Sequence, residues 1–247
     1  MRALAHDLGI PLGSAHRLLT DLAAEGVVER TRDGEWELSY GLLEIVGIQL
    51  ERVQLPRLAR PVLEVLASET RETAFLAVPS RDEIVYLDKV QTDLQLQLHA
   101  ELGTRRPMHC TGLGKAILAF LPPAQQQQVL MTSEFRPYTP HTITDPMTLR
   151  RELARIRERG YALDHQEIIV GVHCIAVPIL NYAGYAVGAL SVAGTSPKGA
   201  GERLDLLVQR MCRAGEYLSR RMGCVPRDGA SAPSPLEPGF SALSAET

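Results

Sequence analysis

Hydrophobic and polar positions repeat with two different periods, and the change of period divides the chain into two parts. Near the start, residues 2–8 and about 12–25 show the three-and-four spacing of amphipathic helices. In the second of these helices one buried face is predicted to consist of Ala15, Leu18, Leu19 and Leu22. Gly9 and Gly26 follow the two helices, where a left-handed residue ends a helix most easily.

Two short alternating stretches come next, at residues 27–30 and 35–38, on either side of Arg32-Asp33-Gly34. An Asp-Gly pair between such stretches is a strong signal for a β-hairpin. Helix, turn, helix and hairpin follow one another in the order of a winged helix-turn-helix. We therefore expect such a segment over residues 1–40.

A linker of two helices is predicted over residues 41–70. The first helical stretch covers residues 42–53 and is broken at Pro56. The second runs from about residue 58 to residue 68.

From residue 71 onward the pattern indicates strands mixed with helices. Strands are predicted at 73–79, 83–90, 94–100, 172–180 and 185–193, and helices at 111–121, 124–131, 146–159 and 200–222. Asp145 and Gly160 mark the start and the end of the helix at 146–159. This order predicts an α+β domain over residues 71–223, followed by a disordered tail over residues 224–247.

Composition indicates where in the cell the protein is expected, but it suggests no chemical activity. The 247 residues are 45% hydrophobic and 22% charged, without an apolar run long enough for a membrane helix. The first ten residues lack the apolar core of a secretory signal, so we expect a cytoplasmic protein.

Charge argues against nucleic-acid binding. The formal net charge is −3, and the first forty residues hold four Lys/Arg against seven Asp/Glu. A DNA-contacting face is usually basic. This local acidity leaves open a small-molecule sensor whose DNA-binding half is impaired.

Metal binding and catalysis have weak support. Cys110 and Cys174 each follow a histidine, but neighbouring strand residues point to opposite faces, so each pair offers a metal only one ligand easily. We expect no metal and no cofactor. Glu167 could form an acid–base pair with Asp164 or His165, which leaves a small-molecule enzyme as a third hypothesis. No recognised catalytic motif accompanies that pair.

The candidate DNA contacts lie on the second helix and at the hairpin tip. In a winged helix-turn-helix the second helix enters the major groove and its outward polar residues face base edges. The candidates are Ser14, His16, Arg17 and Thr20 on the helix and Arg32 at the tip. An ordinary solvated helix face would have the same composition.

The candidate effector site is the helix start at Thr111-Gly112-Leu113-Gly114. Unpaired N–H groups at a helix start attract anions, and glycines allow a ligand to approach closely. A carboxylate on the effector would suit such a site. Tight packing of this helix on a sheet would explain the glycines equally well.

Three segments together resemble the IclR family of transcription regulators. The first is residues 9–19 with 25–30 after it, the second is residues 107–116, and the third is residues 171–178, which lead to 189–194. Their order and spacing also resemble the family, and the resemblance covers residues 1–222.

The resemblance implies a winged helix-turn-helix, linker helices and a GAF-like α/β effector-binding domain with an antiparallel sheet. Members control catabolic or efflux operons as homodimers or dimers of dimers on double-stranded operator DNA. Their effectors are often small organic acids or aromatic compounds. We therefore expect a transcription regulator, with repression favoured over activation.

The resemblance also implies an effector pocket, built from Leu98, Gly112, Leu113, Asp164, Val172, Cys174 and Ser191. Ala193 stands where relatives often have a second serine, which should make the pocket less polar. Leu12-Gly13 replaces a Lys-Ser-like pair, which removes a phosphate contact and a helix cap. The family also implies a further helix ahead of residue 1, so we expect a truncated DNA-binding segment.

Overall fold

The computed structural model describes residues 2–41, 55–91, 101–195 and 202–224. The chain falls into two compact units, Met1–Gln54 and Leu55–Thr247. The predicted helix at 42–53, the predicted strand at 94–100 and the predicted tail beyond Cys224 lie outside the described residues.

The first unit has the predicted element order. Helices α1 (Arg2–Asp7) and α2 (Leu12–Ala24) precede strands β1 (Val28–Arg30) and β2 (Trp36–Leu38), which pair antiparallel. Gly9 and Gly26 both have positive φ and follow the helices as expected. The glycine signals and the Asp-Gly turn therefore predicted this unit correctly.

The core of the first unit is small, and one predicted core position is wrong. The buried apolar residues that the structure describes here are Ala5, Ala15, Leu19 and Val28. Leu18 was expected among them but is 41% exposed. At 100° per residue, Leu18 lies roughly 80° away from the direction midway between Ala15 and Leu19. It therefore stands at the margin of the buried face.

The second unit, in the part that the structure describes, contains a six-stranded antiparallel sheet with helices on both faces. Its elements are α3 (Leu55–Thr70), β3 (Thr73–Ser80), β4 (Glu83–Val90), β5 (Arg105–Pro107), α4 (Gly112–Ala119), α5 (Pro123–Thr132), α6 (Pro146–Arg159), β6 (Ala162–His165), β7 (His173–Leu180), β8 (Ala186–Gly194) and α7 (Glu202–Arg221). Among the described residues the strand order is β5-β4-β3-β8-β7-β6, so β5 and β6 form the two edges of the described sheet. The sequence predicted neither edge strand.

Helices cover the two faces of the sheet differently. Gly112 on α4 lies against Cys174 and Ala176 of β7, whereas Gly215 on α7 lies against Val177 of the same strand. Because strand side chains alternate, α4 and α7 pack on opposite faces. No helix among the described residues is both long and apolar enough to span a membrane.

Gly114 is required by close packing of α4. A Cβ at this position would overlap the Cα and the carbonyl oxygen of Met108, and it would lie 2.6 Å from Thr111 Oγ1. The helix can therefore approach the preceding loop only with glycine here. Gly13, near the start of α2, has nothing within 4 Å of the same position.

We expect Gly114→Ala to destabilise the second unit by about 3 kcal/mol, because backbone atoms must move to admit the methyl group. Gly13→Ala is the matched control and should stabilise its helix by up to about 1 kcal/mol. Thermal unfolding followed by circular dichroism measures both. Equal, small effects of the two substitutions would contradict the packing argument.

Candidate functional site

The outward face of α2 carries the polar residues predicted from the sequence. Ser14, His16, Arg17 and Thr20 are all exposed. Arg17 points almost directly away from the buried pair Ala15 and Leu19. No side chain caps the start of α2, whose N-cap is Pro11, so its first N–H groups are open to solvent.

Two of the predicted contact residues, Thr20 and Arg32, have different surroundings. The Thr20 hydroxyl donates a 2.9 Å hydrogen bond to the His16 carbonyl oxygen, so part of its capacity is used within the helix. Arg32 is exposed in the turn between β1 and β2, where Gly34 has a φ of +82°. The neighbouring Arg30 guanidinium lies 5.5 Å from the Trp36 ring centroid.

The second unit contains a cleft on the α4 face of the sheet, and strand register explains its lining. Asp164, Cys174 and Ala193 are direct partners across three neighbouring strands. Phe75 and Ser191 form the next row on the same face. The cleft is open to solvent, and the space inside it, including the part at its open side, is about 530 Å³.

Most of the predicted effector residues line this cleft. They are Thr111, Gly112, Leu113, Asp164, Val172, Cys174 and Ser191. Gly114 does not line it, because its N–H is bonded to Thr111 Oγ1 at 3.0 Å and its α-carbon packs on Met108. Leu98 lies outside the described residues.

A carboxylate of the protein itself lies beside the start of α4. Asp164 is 4% exposed, and its carboxylate accepts a 2.8 Å hydrogen bond from the Glu167 N–H. Burial is the main cause that raises its pKa to about 6. Of the N–H groups that the sequence predicts to be unpaired at this helix start, that of Gly114 is already bonded to Thr111 Oγ1.

A buried ion pair beneath the cleft was missed by the sequence analysis. Lys115 is 1% exposed, and its Nζ donates to the Leu163 carbonyl oxygen at 2.7 Å and to the Glu167 carboxylate. The predicted acid–base pair is therefore not formed by Glu167. His165 points to the opposite face from Asp164 and lies beside His173. A lysine within the apolar helix Gly112–Ala119 was the available signal.

The sequence did not single out Phe75, Tyr86 or Arg106, which line the cleft from β3, β4 and β5. Ile168 and Ile169 also line it and lie between the predicted pocket residues Asp164 and Val172. Burial is the largest cause that raises the pKa of the Tyr86 phenol far above its usual value. Within the described ranges, no group of three His, Cys, Asp or Glu side chains could hold a metal ion.

Comparison with known protein families matches both units. The model of the bacterial transcriptional regulator IclR C-terminal domain matches residues 48–220, and that of the IclR helix-turn-helix domain matches residues 1–32.

Individual relatives match over most of the chain. The HTH-type transcriptional regulator BhcR of Paracoccus denitrificans is 33% identical over 228 residues, which are 92% of this chain and 81% of that protein. The transcriptional repressor IclR of Escherichia coli is 31% identical over 223 residues, 89% of this chain and 81% of the repressor. The crystal structure of an IclR homologue from Microbacterium hydrocarbonoxydans, complexed with 4-hydroxybenzoate, has a TM-score of 0.74 at 26% identity and covers 89% of each chain.

Breaking the buried ion pair should be costly. We expect Lys115→Met to reduce the free energy of unfolding by about 3–5 kcal/mol, because the Glu167 carboxylate stays buried without its cation. The double variant Lys115→Met/Glu167→Met should recover most of that loss. Denaturant unfolding at neutral pH measures both. A loss below about 1 kcal/mol in the single variant would show that the pair does not hold this region.

Asp164 should make stability depend on pH in a defined direction. Its raised pKa means that ionisation above about pH 6 opposes folding, and that this penalty disappears as the pH falls towards the ordinary value of 3.8. Asp164→Asn should therefore raise the free energy of unfolding at pH 8 by up to about 3 kcal/mol, which is seen as a higher Tm. Near pH 4 it should have little effect.

Asp145→Asn is the control for this prediction. Hydrogen bonds from Thr148 lower the Asp145 pKa, so its ionised form stabilises the start of α6. The substitution should therefore lower Tm at pH 8. A Tm change of the same sign in both variants would contradict the assignment for Asp164.

Proposed function

The chain belongs to the IclR family of DNA-binding transcriptional regulators, and from that premise we propose that it is a repressor whose affinity for operator DNA is set by a small organic-acid or aromatic effector. It is a regulator and not an enzyme, in line with its relatives. We assign DNA binding to residues 1–40, linkage to 41–70 and effector binding to 71–223. We place the protein in the cytoplasm.

The observation that carries the effector proposal is the cleft between α4 and the sheet. It combines apolar walls with a few polar groups, which is the usual character of a small-molecule site. The Ser191 hydroxyl is buried in it and has no hydrogen-bond partner among the described residues. A relative of similar fold was crystallised with 4-hydroxybenzoate, so this compound is our first probe.

The proposed DNA contacts are Ser14, His16, Arg17, Thr20 and Arg32. Their exposure supports the proposal, and Arg17 has the best position because it lies opposite the buried side of α2. We propose a homodimer or a dimer of dimers, which would present two recognition helices to two half-sites. Acidic residues outnumber basic ones in this segment, so DNA binding depends on where its cations lie and not on its net charge.

Substitution of Arg17 tests the DNA surface. We expect Arg17→Ala to weaken binding to DNA from upstream of the gene by about tenfold or more, since a charged contact to a base or phosphate is lost. Fluorescence anisotropy at two salt concentrations measures it. Arg2→Ala removes the same charge from the same unit and should have the smaller effect. If the wild-type chain is folded but does not bind, an impaired sensor is the better description.

A second measurement tests coupling between the two functions. Saturating 4-hydroxybenzoate should change operator affinity by about 5–150-fold, the usual range for allosteric coupling. The same anisotropy titration, with and without the compound, gives this ratio. If calorimetry shows that the compound binds while the operator affinity stays the same, effector control by this compound is contradicted.

A further inference from the structure

Arg106 places a positive charge in the cleft at the edge strand β5. It pairs in register with Ile84 of β4, so its side chain lies on the same face as Tyr86, two residues along that strand. Arg106 is half-buried and lines the cleft. No acidic side chain in the described part of the chain forms an ion pair with its guanidinium.

The adjacent Arg105 has a different environment. It points to the opposite face of the sheet, is exposed, and lies 3.5 Å from the Glu83 carboxylate. The pair Arg105-Arg106 thus contains one cation that has a carboxylate partner at the surface and one that faces the cleft without such a partner. Because successive side chains of a strand point to opposite faces, the two neighbouring arginines of the three-residue strand β5 lie on different sides of the sheet.

The opposite side of the cleft carries negative charge. Asp164 is on β6, at the other edge of the described sheet, and it lies beside the start of α4. Both edge strands line one cleft, so the sheet curls and the two charges face a shared space. Tyr86 lines the same cleft from β4, the strand next to β5. A second carboxylate placed beside Asp164 would be repelled.

We propose that the cleft takes a small aromatic monocarboxylate in one orientation, with its carboxylate on Arg106 and a hydroxyl group donating to Asp164. This rests on the proposed function and adds to it the polarity of the ligand and the residue that selects for an acid. A guanidinium fits a carboxylate with two parallel hydrogen bonds, which favours this end for the acid group.

The walls between the two charges suit an aromatic ring. Phe75 and Tyr86 are neighbours with ring centroids 5.3 Å apart and tilted by 54°. Leu113, Ile168 and Val172 add apolar surface from the helix and the loop. Flat apolar groups bind in such a space by burial and by edge-to-face contact with aromatic side chains.

The group at Asp164 should be a hydroxyl and not an ammonium. Asp164 is nearly inaccessible and its neighbours Cys174 and Ala193 are apolar, so an ammonium would lose its hydration with little replacement. A hydroxyl loses less and gives a hydrogen bond to a charged acceptor. Amino acids should therefore bind more weakly than hydroxy acids of the same size.

Titration calorimetry on the full chain tests the orientation with three probes: 4-hydroxybenzoate, 4-hydroxybenzamide and benzoate. The amide has the shape of the acid without its charge, and benzoate lacks the hydroxyl. In the wild type we expect the amide to bind at least about tenfold more weakly than the acid, and benzoate also about tenfold more weakly. Arg106→Gln should bind acid and amide within about threefold of each other. Arg105→Gln is the matched control and should keep the wild-type ratio.

The outcomes separate this inference from the proposed function. Equal binding of acid and amide by the wild type overturns the role of Arg106 and leaves the cleft as a ligand site. A change of ratio in Arg105→Gln as large as in Arg106→Gln also overturns it. If none of the probes binds up to millimolar concentration while operator binding is intact, the ligand class is wrong and the regulator stands. If the wild-type chain binds neither the probes nor operator DNA, the result counts against the proposed function as well.

Discussion

The architecture of the cleft depends on one buried ion pair, between Lys115 and Glu167. An ammonium that is 1% exposed needs partners for its donors, and residues of one short segment supply them: the Leu163 carbonyl oxygen and the Glu167 carboxylate. This fixes the edge strand β6 and the loop after it relative to α4. The Thr139 hydroxyl donates at 2.7 Å to the Gln166 carbonyl oxygen and fixes the same loop from its other side.

The placement of charge in the cleft follows from that pair. With Glu167 fixed, its N–H donates to the Asp164 carboxylate, which lies beside the first turn of α4. The helix therefore carries its compensating negative charge from within the chain. What remains for a ligand is the other side, where Arg106 lies on β5. The polarity of the site is thus a consequence of how α4 is held.

Features set by neighbouring residues could be predicted from the sequence, and features set by distant pairing could not. Asp145 and Gly160 bound α6 as predicted, because capping depends on residues within one turn. The edge strands β5 and β6 have three and four residues, too few for a periodic signal. The bond between Lys115 and Glu167 joins residues 52 positions apart, and no local pattern encodes it.

The two candidate sites differ in this respect for a physical reason. The residues on α2 are exposed, so helical periodicity alone selects Arg17 and its neighbours as the outward set. In the cleft, the useful face of each strand depends on register with its neighbours. Arg105 and Arg106 are chemically identical in the sequence, and only the pairing of Arg106 with Ile84 decides which of them faces the ligand space. Sequence resemblance located most of the α4 side of the cleft, whereas the charge that faces Asp164 across it required the three-dimensional structure.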